Sequence, residues 1–263
     1  MCGLAGFIGE SKDKKLSFDL ISSLFFYSQI RGIDACGFYA NEKENIFYHK
    51  QKGKSNNLIQ SDIWKNLKDK DLDLMLVHTR KTSSNSGSSE NNINNHPFLL
   101  GDSALIHNGI IEKNDFNKLL NYVKIDSDCD SEIIIKFMNC FSSENYFDNR
   151  LSKLQELLFF IRNSEFAFCL TDKNKESKNL WLVKNDKRPL FLINLKEKLN
   201  QYFFCSTLEI WQESISNIKN LKGYNIYKIP DFSIININYF NNNFKEYYFN
   251  YDVFDFEEKL FKY

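Results

Sequence analysis

The chain has 263 residues, with Lys+Arg and Asp+Glu both numbering 34, so no basic excess argues for nucleic acid and no acidic tail argues for a charge-driven partner. Hydrophobic residues at 43% and charged residues at 26% are the composition of a globular protein large enough to bury a sizeable core. No run reaches the roughly 18 apolar residues a membrane span requires, the start MCGLAGFIGE lacks a signal peptide's basic leader, and six scattered cysteines without a CxxC pair fit a reducing cytoplasm.

In chain order, Leu4 to Ile8 reads as a buried strand, and Leu16 to Ile30 as a helix that ends before Arg31-Gly32. Phe38 to Ala40 and Ile46 to Tyr48 read as a hairpin, and Leu72 to His78 as another buried strand. The Ser- and Asn-rich run from Lys81 to Pro97 is too long for a simple turn, and loops of that length in a compact domain are usually functional or disordered. Leu105 to His107 is a short strand running into Asn108-Gly109. Phe116 to Tyr122, Ser131 to Phe141 and Leu151 to Ile161 have helical spacing, the second with Asp130 as its expected N-cap. Six strand-like runs follow: Phe166 to Leu170, Leu180 to Val183, Leu190 to Ile193, Tyr202 to Phe204, Tyr224 to Ile229 and Ser233 to Tyr239. Grouped rather than alternating helices favour a layered α+β architecture over a doubly wound parallel sheet. The aromatic tail from Asn241 to Tyr263 suggests no role.

Cys2 is the first residue with chemistry to offer. A Met followed by a small residue is the usual substrate for methionine removal, and Cys2 would then carry a free α-amino group. With a pKa of about 7.7–8.0, that amine can act as general base for the thiol of its own residue. Four histidines, none at metal-ligand spacing, predict no metal site, and no cofactor is expected.

Cys2-Gly3-Leu4-Ala5-Gly6-Phe7-Ile8-Gly9 and Arg31-Gly32-Ile33-Asp34-Ala35-Cys36-Gly37 resemble the start of class II glutamine amidotransferases. The blocks His78-Thr79-Arg80, Asn95-His96-Pro97-Phe98, His107-Asn108-Gly109-Ile110-Ile111-Glu112 and Asp130-Ser131-Glu132-Ile133-Ile134 continue the resemblance in the family's order. Later matches extend it to about residue 230, and the glutaminase domain of glucosamine-6-phosphate synthase is the relative it most suggests. The resemblance implies a four-layer αββα sandwich of the N-terminal-nucleophile hydrolase type over residues 1–230, with 231–263 as a C-terminal extension that adds a final strand and tail to the same domain.

The same resemblance implies hydrolysis of L-glutamine to glutamate and ammonia through a thioester on Cys2. Asn108 and Gly109 then supply the oxyanion donors, one such donor being worth about 2.7–4 kcal/mol of barrier. Arg80 matches the family's residue for the substrate α-carboxylate, which a guanidinium can grip with two parallel N–H groups. Asp130 matches the anion for the α-ammonium. The family's Trp-Ala-Thr-His-Gly after His-Thr-Arg is replaced by Lys81-Thr82-Ser83-Ser84-Asn85, where Ser83 keeps a hydroxyl for the carboxylate and the loop Ser84 to Asn94 can serve as a lid. Arg31 and Asp34 read as supports beneath the nucleophile, His78, His96 and His107 as scaffold, and the other five cysteines as core or helix residues. Nothing after residue 230 is long enough for an ammonia-using synthase, so a separate synthase subunit is the expected partner. An amidase acting on another γ-glutamyl compound, and a non-catalytic regulatory module on the same fold, are the alternatives.

Overall fold

Strand β1 (Gly3–Ile8) leads to helix α1 (Lys14–Ser28), the hairpin β2 (Ala35–Glu42) and β3 (Asn45–Lys52), the short helices α2 (Ser55–Ile59) and α3 (Asp62–Lys65), and strand β4 (Leu74–Arg80). A loop with one 3-10 turn at Asn92–Asn94 precedes β5 (Phe98–Leu100) and β6 (Ser103–Ile110), and then come α4 (Lys113–Leu119), α5 (Glu132–Met138) and α6 (Tyr146–Phe160). The remainder is β7 (Glu165–Lys173), β8 (Lys178–Lys184), β9 (Phe191–Leu195), α7 (Lys196–Leu199), β10 (Gln201–Cys205), α8 (Leu208–Ser216), β11 (Asn225–Lys228), β12 (Ser233–Asn238), β13 (Phe244–Phe249) and β14 (Phe256–Lys259). This computed structural model describes residues 1–83, 86–140, 146–173, 178–216, 218, 221–238, 244–249 and 256–259.

The strands form two seven-stranded sheets, in the orders β11-β9-β10-β1-β4-β2-β3 and β14-β13-β12-β8-β7-β6-β5. Side chains alternate between the faces of a strand, and here both faces of the central strands are apolar. Ala5 and Phe7 of β1 and Met75 and Val77 of β4 pack with Leu20, Ile21, Leu24 and Phe25 of α1. Leu4, Ile8, Leu74 and Leu76 point the other way, into a layer shared with Ala104, Ile106, Ala167, Cys169, Leu180 and Leu182 of the second sheet. On the far face of that sheet, Phe166, Phe168, Trp181 and Val183 meet Ile133, Ile134 and Phe137 of α5 and Leu154, Leu157 and Leu158 of α6. Three apolar layers between four structural layers make an αββα sandwich, the architecture expected from the sequence.

Helix α1 starts where the Asp13 carboxylate accepts the Leu16 N–H at 3.0 Å. The turn after it fits against the end of β4 because a Cβ on Gly32 would lie 2.4 Å from the Arg80 carbonyl carbon. Asp34 completes that junction, its N–H donating to Arg80 O at 3.0 Å and its carboxylate accepting the Thr82 N–H at 2.8 Å.

Asp130 is not the N-cap of α5. That position belongs to Ser131, which makes no side-chain cap bond, and the Asp130 carboxylate instead accepts the Ile111 N–H at 2.8 Å. The buried acid is drawn across to the end of β6 by a strand neighbour that short-range reasoning cannot see. Helix α8 went unread in the sequence, although Thr207 precedes it and Ile210, Trp211 and Ser214 form its buried face against α1. The short β5, α2, α3 and α7 also went unread. Within the tail, β13 pairs antiparallel with β12, and β14 with β13. Phe141 and Tyr239, at the expected helix and strand ends, and Ser84 and Asn85 of the expected lid lie outside the described residues.

Candidate active site

Three strand ends meet at one edge of the sandwich. Gly3 at the start of β1 pairs with Thr79 near the end of β4, and across the sheet interface lies the end of β6 with Asn108 and Gly109. Cys2 reaches across this interface, its N–H donating to Asn108 Oδ1 at 2.9 Å. Arg31 Nε donates to Cys2 O at 2.7 Å from the turn after α1. Gly3 is required because a Cβ there would lie 2.5 Å from both Ser28 O and Thr79 Oγ1, so residue 2 is seated against α1 with no space for a side chain behind it.

The partly exposed Cys2 Sγ lies against the peptide groups of Lys81, 3.5 Å from its N and 3.7 Å from its O. Desolvation raises the thiol above its ordinary pKa, while the Lys81 backbone, the positive amino terminus and Arg80 pull it down and Asp130 pushes it up. Arg80 and Asp130 thus act on the sulfur with opposite signs, flanking it with a cation and an anion. A thiol so raised needs a base to become a nucleophile.

Asn108 is 1% exposed, and while Oδ1 is occupied by the Cys2 N–H, Nδ2 has no hydrogen-bond partner among the described residues. The next N–H is open for a different reason. Gly109 pairs in register with Phe166, but Phe166 gives its N–H to Asn185 Oδ1 at 3.3 Å and its O accepts the Asn185 N–H at 3.2 Å. Both polar groups of Phe166 therefore face β8, and the Gly109 N–H is turned away from β7. A Cβ on Gly109 would lie 1.8 Å from Glu165 O, so only glycine keeps β6 in this register. Two donors consequently lie together near the end of β6, where Asn108 meets the Cys2 backbone, and paired open donors are what a developing oxyanion needs.

Arg80, 1% exposed at the end of β4, donates from Nη1 to Asn95 Oδ1 at 2.6 Å and from Nη2 to Gly87 O at 2.8 Å and to Ser86 O. Three of about five N–H donors are thereby committed to the loop, which leaves capacity for an anion. Ser83 shapes the same loop through its backbone, donating its N–H to Ser86 Oγ at 2.8 Å. Asp130 lines a cavity of about 330 Å³ with Ile111, Lys113, Phe116, Asn117 and Asp128. Burial pushes its carboxyl up to about 6 against the lowering effect of the Ile111 N–H and Ser131.

The three site histidines are buried and neutral. Burial lowers His78 and His107 to about 3 and His96 well below its ordinary value. His78 Nε2–H donates to His107 O at 3.0 Å, and its ring stacks on His96 with centroids 4.1 Å apart. Ser131 Oγ donates to Asp130 Oδ1 at 3.3 Å, which fixes His107 Nδ1–H as the donor to Ser131 Oγ at 2.8 Å. His107 and Ser131 thus orient the Asp130 carboxylate, as a second ring of contacts orients a binding group. Two contributors went unread in the sequence: Asn95, which holds Arg80, and the Lys81 peptide beside the sulfur. Asn95 stood within the block Asn95-His96-Pro97-Phe98, and that block was the available signal. No group of three or more His, Cys, Asp or Glu side chains among the described residues is placed to hold a metal, and no helix among them is long and apolar enough to cross a membrane.

No family model matches the chain. It is 26% identical over 269 residues to the glutamine–fructose-6-phosphate aminotransferase (isomerizing) of Helicobacter pylori, covering 94% of this chain and 41% of that protein. To the protein of the same name from Listeria monocytogenes it is 28% identical over 208 residues, covering 76% and 31%. The chain thus spans less than half the length of these relatives. Among solved structures it matches glutamine phosphoribosylpyrophosphate amidotransferase from B. subtilis with a TM-score of 0.66 at 15% identity, covering 99% of this chain and 49% of that one. The glutamine aminotransferase class-II domain protein from Silicibacter pomeroyi gives a TM-score of 0.57 at 11% identity, covering 99% and 100%. The chain shares the fold of these solved structures and is similar in sequence to the glutamine–fructose-6-phosphate aminotransferases over most of its length.

Proposed function

We propose that this chain is a glutamine-hydrolysing amidotransferase domain with Cys2 as nucleophile, catalytic Asn108 and Gly109, and Arg80, Asp130 and Ser83 as substrate-binding residues. The observation that carries this reading is the pair of uncommitted donors, Asn108 Nδ2–H and the Gly109 N–H, at the strand end that touches Cys2. Met1, 62% exposed, is open to removal. The freed amine at residue 2 takes the thiol proton, and the sulfur attacks the side-chain amide carbon of L-glutamine. The oxyanion so formed is held by the two donors. The amine returns the proton to the leaving nitrogen, and ammonia departs, leaving a γ-glutamyl thioester. Water, deprotonated by the same amine, then releases glutamate and restores the thiol.

The two charges of the free amino acid explain the flanking residues. Arg80 takes the α-carboxylate with its remaining N–H groups, Ser83 adds a hydroxyl, and Asp130 takes the α-ammonium. Residues 1–230 form the amidotransferase domain, and 231–263 extend it, a reading supported by β12, β13 and β14 continuing its second sheet. The ammonia passes to a synthase subunit, a reading supported by the glutamine-using aminotransferases that this chain resembles.

The test is treatment of the purified chain with the glutamine-analogue electrophile diazo-oxo-norleucine, followed by intact and peptide mass analysis, alongside ammonia release from L-glutamine. Loss of Met1, a single adduct on Cys2, and no ammonia release by Cys2→Ala are expected. Retention of Met1 in active protein, or full activity in Cys2→Ala, would overturn the mechanism. Release of glutamate only from other γ-glutamyl amides would select the alternative substrate class.

A further inference from the structure

Six acidic side chains are buried among the described residues: Asp73, Asp115, Asp130, Asp172, Glu132 and Glu246. Four of them are answered by a cation of the chain. Lys178 lies 2.5 Å from Asp73, Arg150 2.8 Å from Asp172, Lys118 3.6 Å from Asp115 and Lys136 3.6 Å from Glu132. The two left without a cation among the described residues are Asp130, read above as the seat of a ligand's ammonium group, and Glu246. An unpaired carboxylate in a protein interior is strongly unfavourable unless something compensates it.

Glu246 sits on β13 opposite Ile235 of β12, a residue of the apolar layer between the sheets. Its Oε1 accepts hydrogen bonds from the Tyr227 hydroxyl at 2.8 Å and the Tyr248 hydroxyl at 3.0 Å. Its Oε2 is buried and has no hydrogen-bond partner among the described residues. Burial and the Glu246 charge both push the Tyr227 phenol up.

Glu246 also lines a cavity of about 240 Å³ between β13 and two strands of the other sheet, the edge strand β11 and its neighbour β9. Tyr202, Tyr227 and Phe244 supply aromatic walls, with the Tyr202 and Phe244 rings 6.1 Å apart and tilted by 37°. The Tyr202 ring already carries one cation, Lys196 Nζ, 5.1 Å from its centroid. Tyr202 pairs with Ile8, at the opposite end of β1 from Gly3, so this cavity is separate from the Cys2 site. Aromatic faces around an anionic end group form the cage that ammonium ligands prefer, and a few convergent polar groups in an otherwise apolar hollow mark a small-molecule pocket.

We propose that the cavity between β9, β11 and β13 binds a small alkylammonium ligand, whose charged nitrogen pairs with Glu246 Oε2 while its alkyl part lies against Tyr202, Tyr227 and Phe244. The site acts independently of the glutaminase reading.

The test is titration of the full chain with n-butylammonium, followed by methyl NMR of Leu192 and Ile226, with n-butyrate as the control of opposite charge. Saturable shifts at these methyls with butylammonium and none with butyrate are expected, weakened at least about tenfold in Glu246→Gln. Asn225→Lys, on the exposed edge strand lining the cavity, places a fixed cation there without touching the core and should abolish the shifts. Absence of saturable shifts up to about 50 mM, well above the dissociation constant of a millimolar complex, overturns the proposal. Unchanged binding in folded Glu246→Gln or in Asn225→Lys does so equally.

Discussion

Replacing Asn108 by Leu, which is similar in shape but cannot hydrogen-bond, separates catalysis from stability. The wild-type side chain has one satisfied atom, Oδ1 against the Cys2 N–H, and one buried unsatisfied atom, Nδ2. Losing the first costs about 0.5–1.5 kcal/mol net, whereas removing an unsatisfied buried donor relieves a penalty of about 1–3 kcal/mol. The folded state should therefore be unchanged or slightly stabilised. Catalysis should suffer, because one oxyanion donor is worth about 2.7–4 kcal/mol, or roughly 100- to 1000-fold in kcat. Ammonia release measures kcat, thermal denaturation measures stability, and alkylation of Cys2 by iodoacetamide checks the sulfur through a reaction with no oxyanion. Alkylation should persist within a few-fold of wild type. A loss of kcat below about tenfold, or a melting point lowered by the equivalent of more than about 3 kcal/mol, would show that Asn108 is a structural bridge between the sheets and not an oxyanion donor.

Arg80→Lys keeps the charge but loses the fork and its hold on Asn95 and Gly87, so KM for glutamine should rise roughly 10- to 100-fold and the loop around Gly87 should become sensitive to limited proteolysis; unaltered KM would remove Arg80 from the site. Asp130, held near 6, should lose its grip on the substrate ammonium at lower pH, so KM should climb by about tenfold per pH unit below that value and be high and flat in Asp130→Asn. Because the folded-state value lies above the ordinary one of 3.8, the group's stabilising contribution is complete below 3.8 and lost as pH rises through about 6. Asp130→Asn should accordingly melt higher than wild type at pH 7.5 and equally at pH 3.5, and a lower melting point at pH 7.5 would contradict the assigned burial. Gly109→Ala must displace Glu165 O, 1.8 Å from the new methyl carbon, so both stability, by about 1–3 kcal/mol, and ammonia release should fall; wild-type values for both would show that the strand register is wrong.

The sequence by itself determined which residue types could do the chemistry and the two-faced character of the core strands. Cys2, Arg80, Asn108-Gly109 and Asp130 stood in blocks whose residue types match thiol attack, carboxylate pairing, oxyanion donation and ammonium pairing. The apolar runs at Leu4 to Ile8 and Leu72 to His78 announced strands covered on both sides, because that pattern is local. Only the tertiary structure decided what each group faces. Asp130 read locally as a helix cap, yet its carboxylate serves Ile111, 19 positions away, and the Cys2 N–H meets Asn108 across 106 positions. Whether the Gly109 N–H is open depends on Phe166 being claimed by Asn185. Such contacts follow from how two twisted sheets stack and in what register their strands pair, and no periodicity within one strand encodes that. That the Glu246 carboxylate has no cation among the described residues became visible only when β13 was set against β9 and β11.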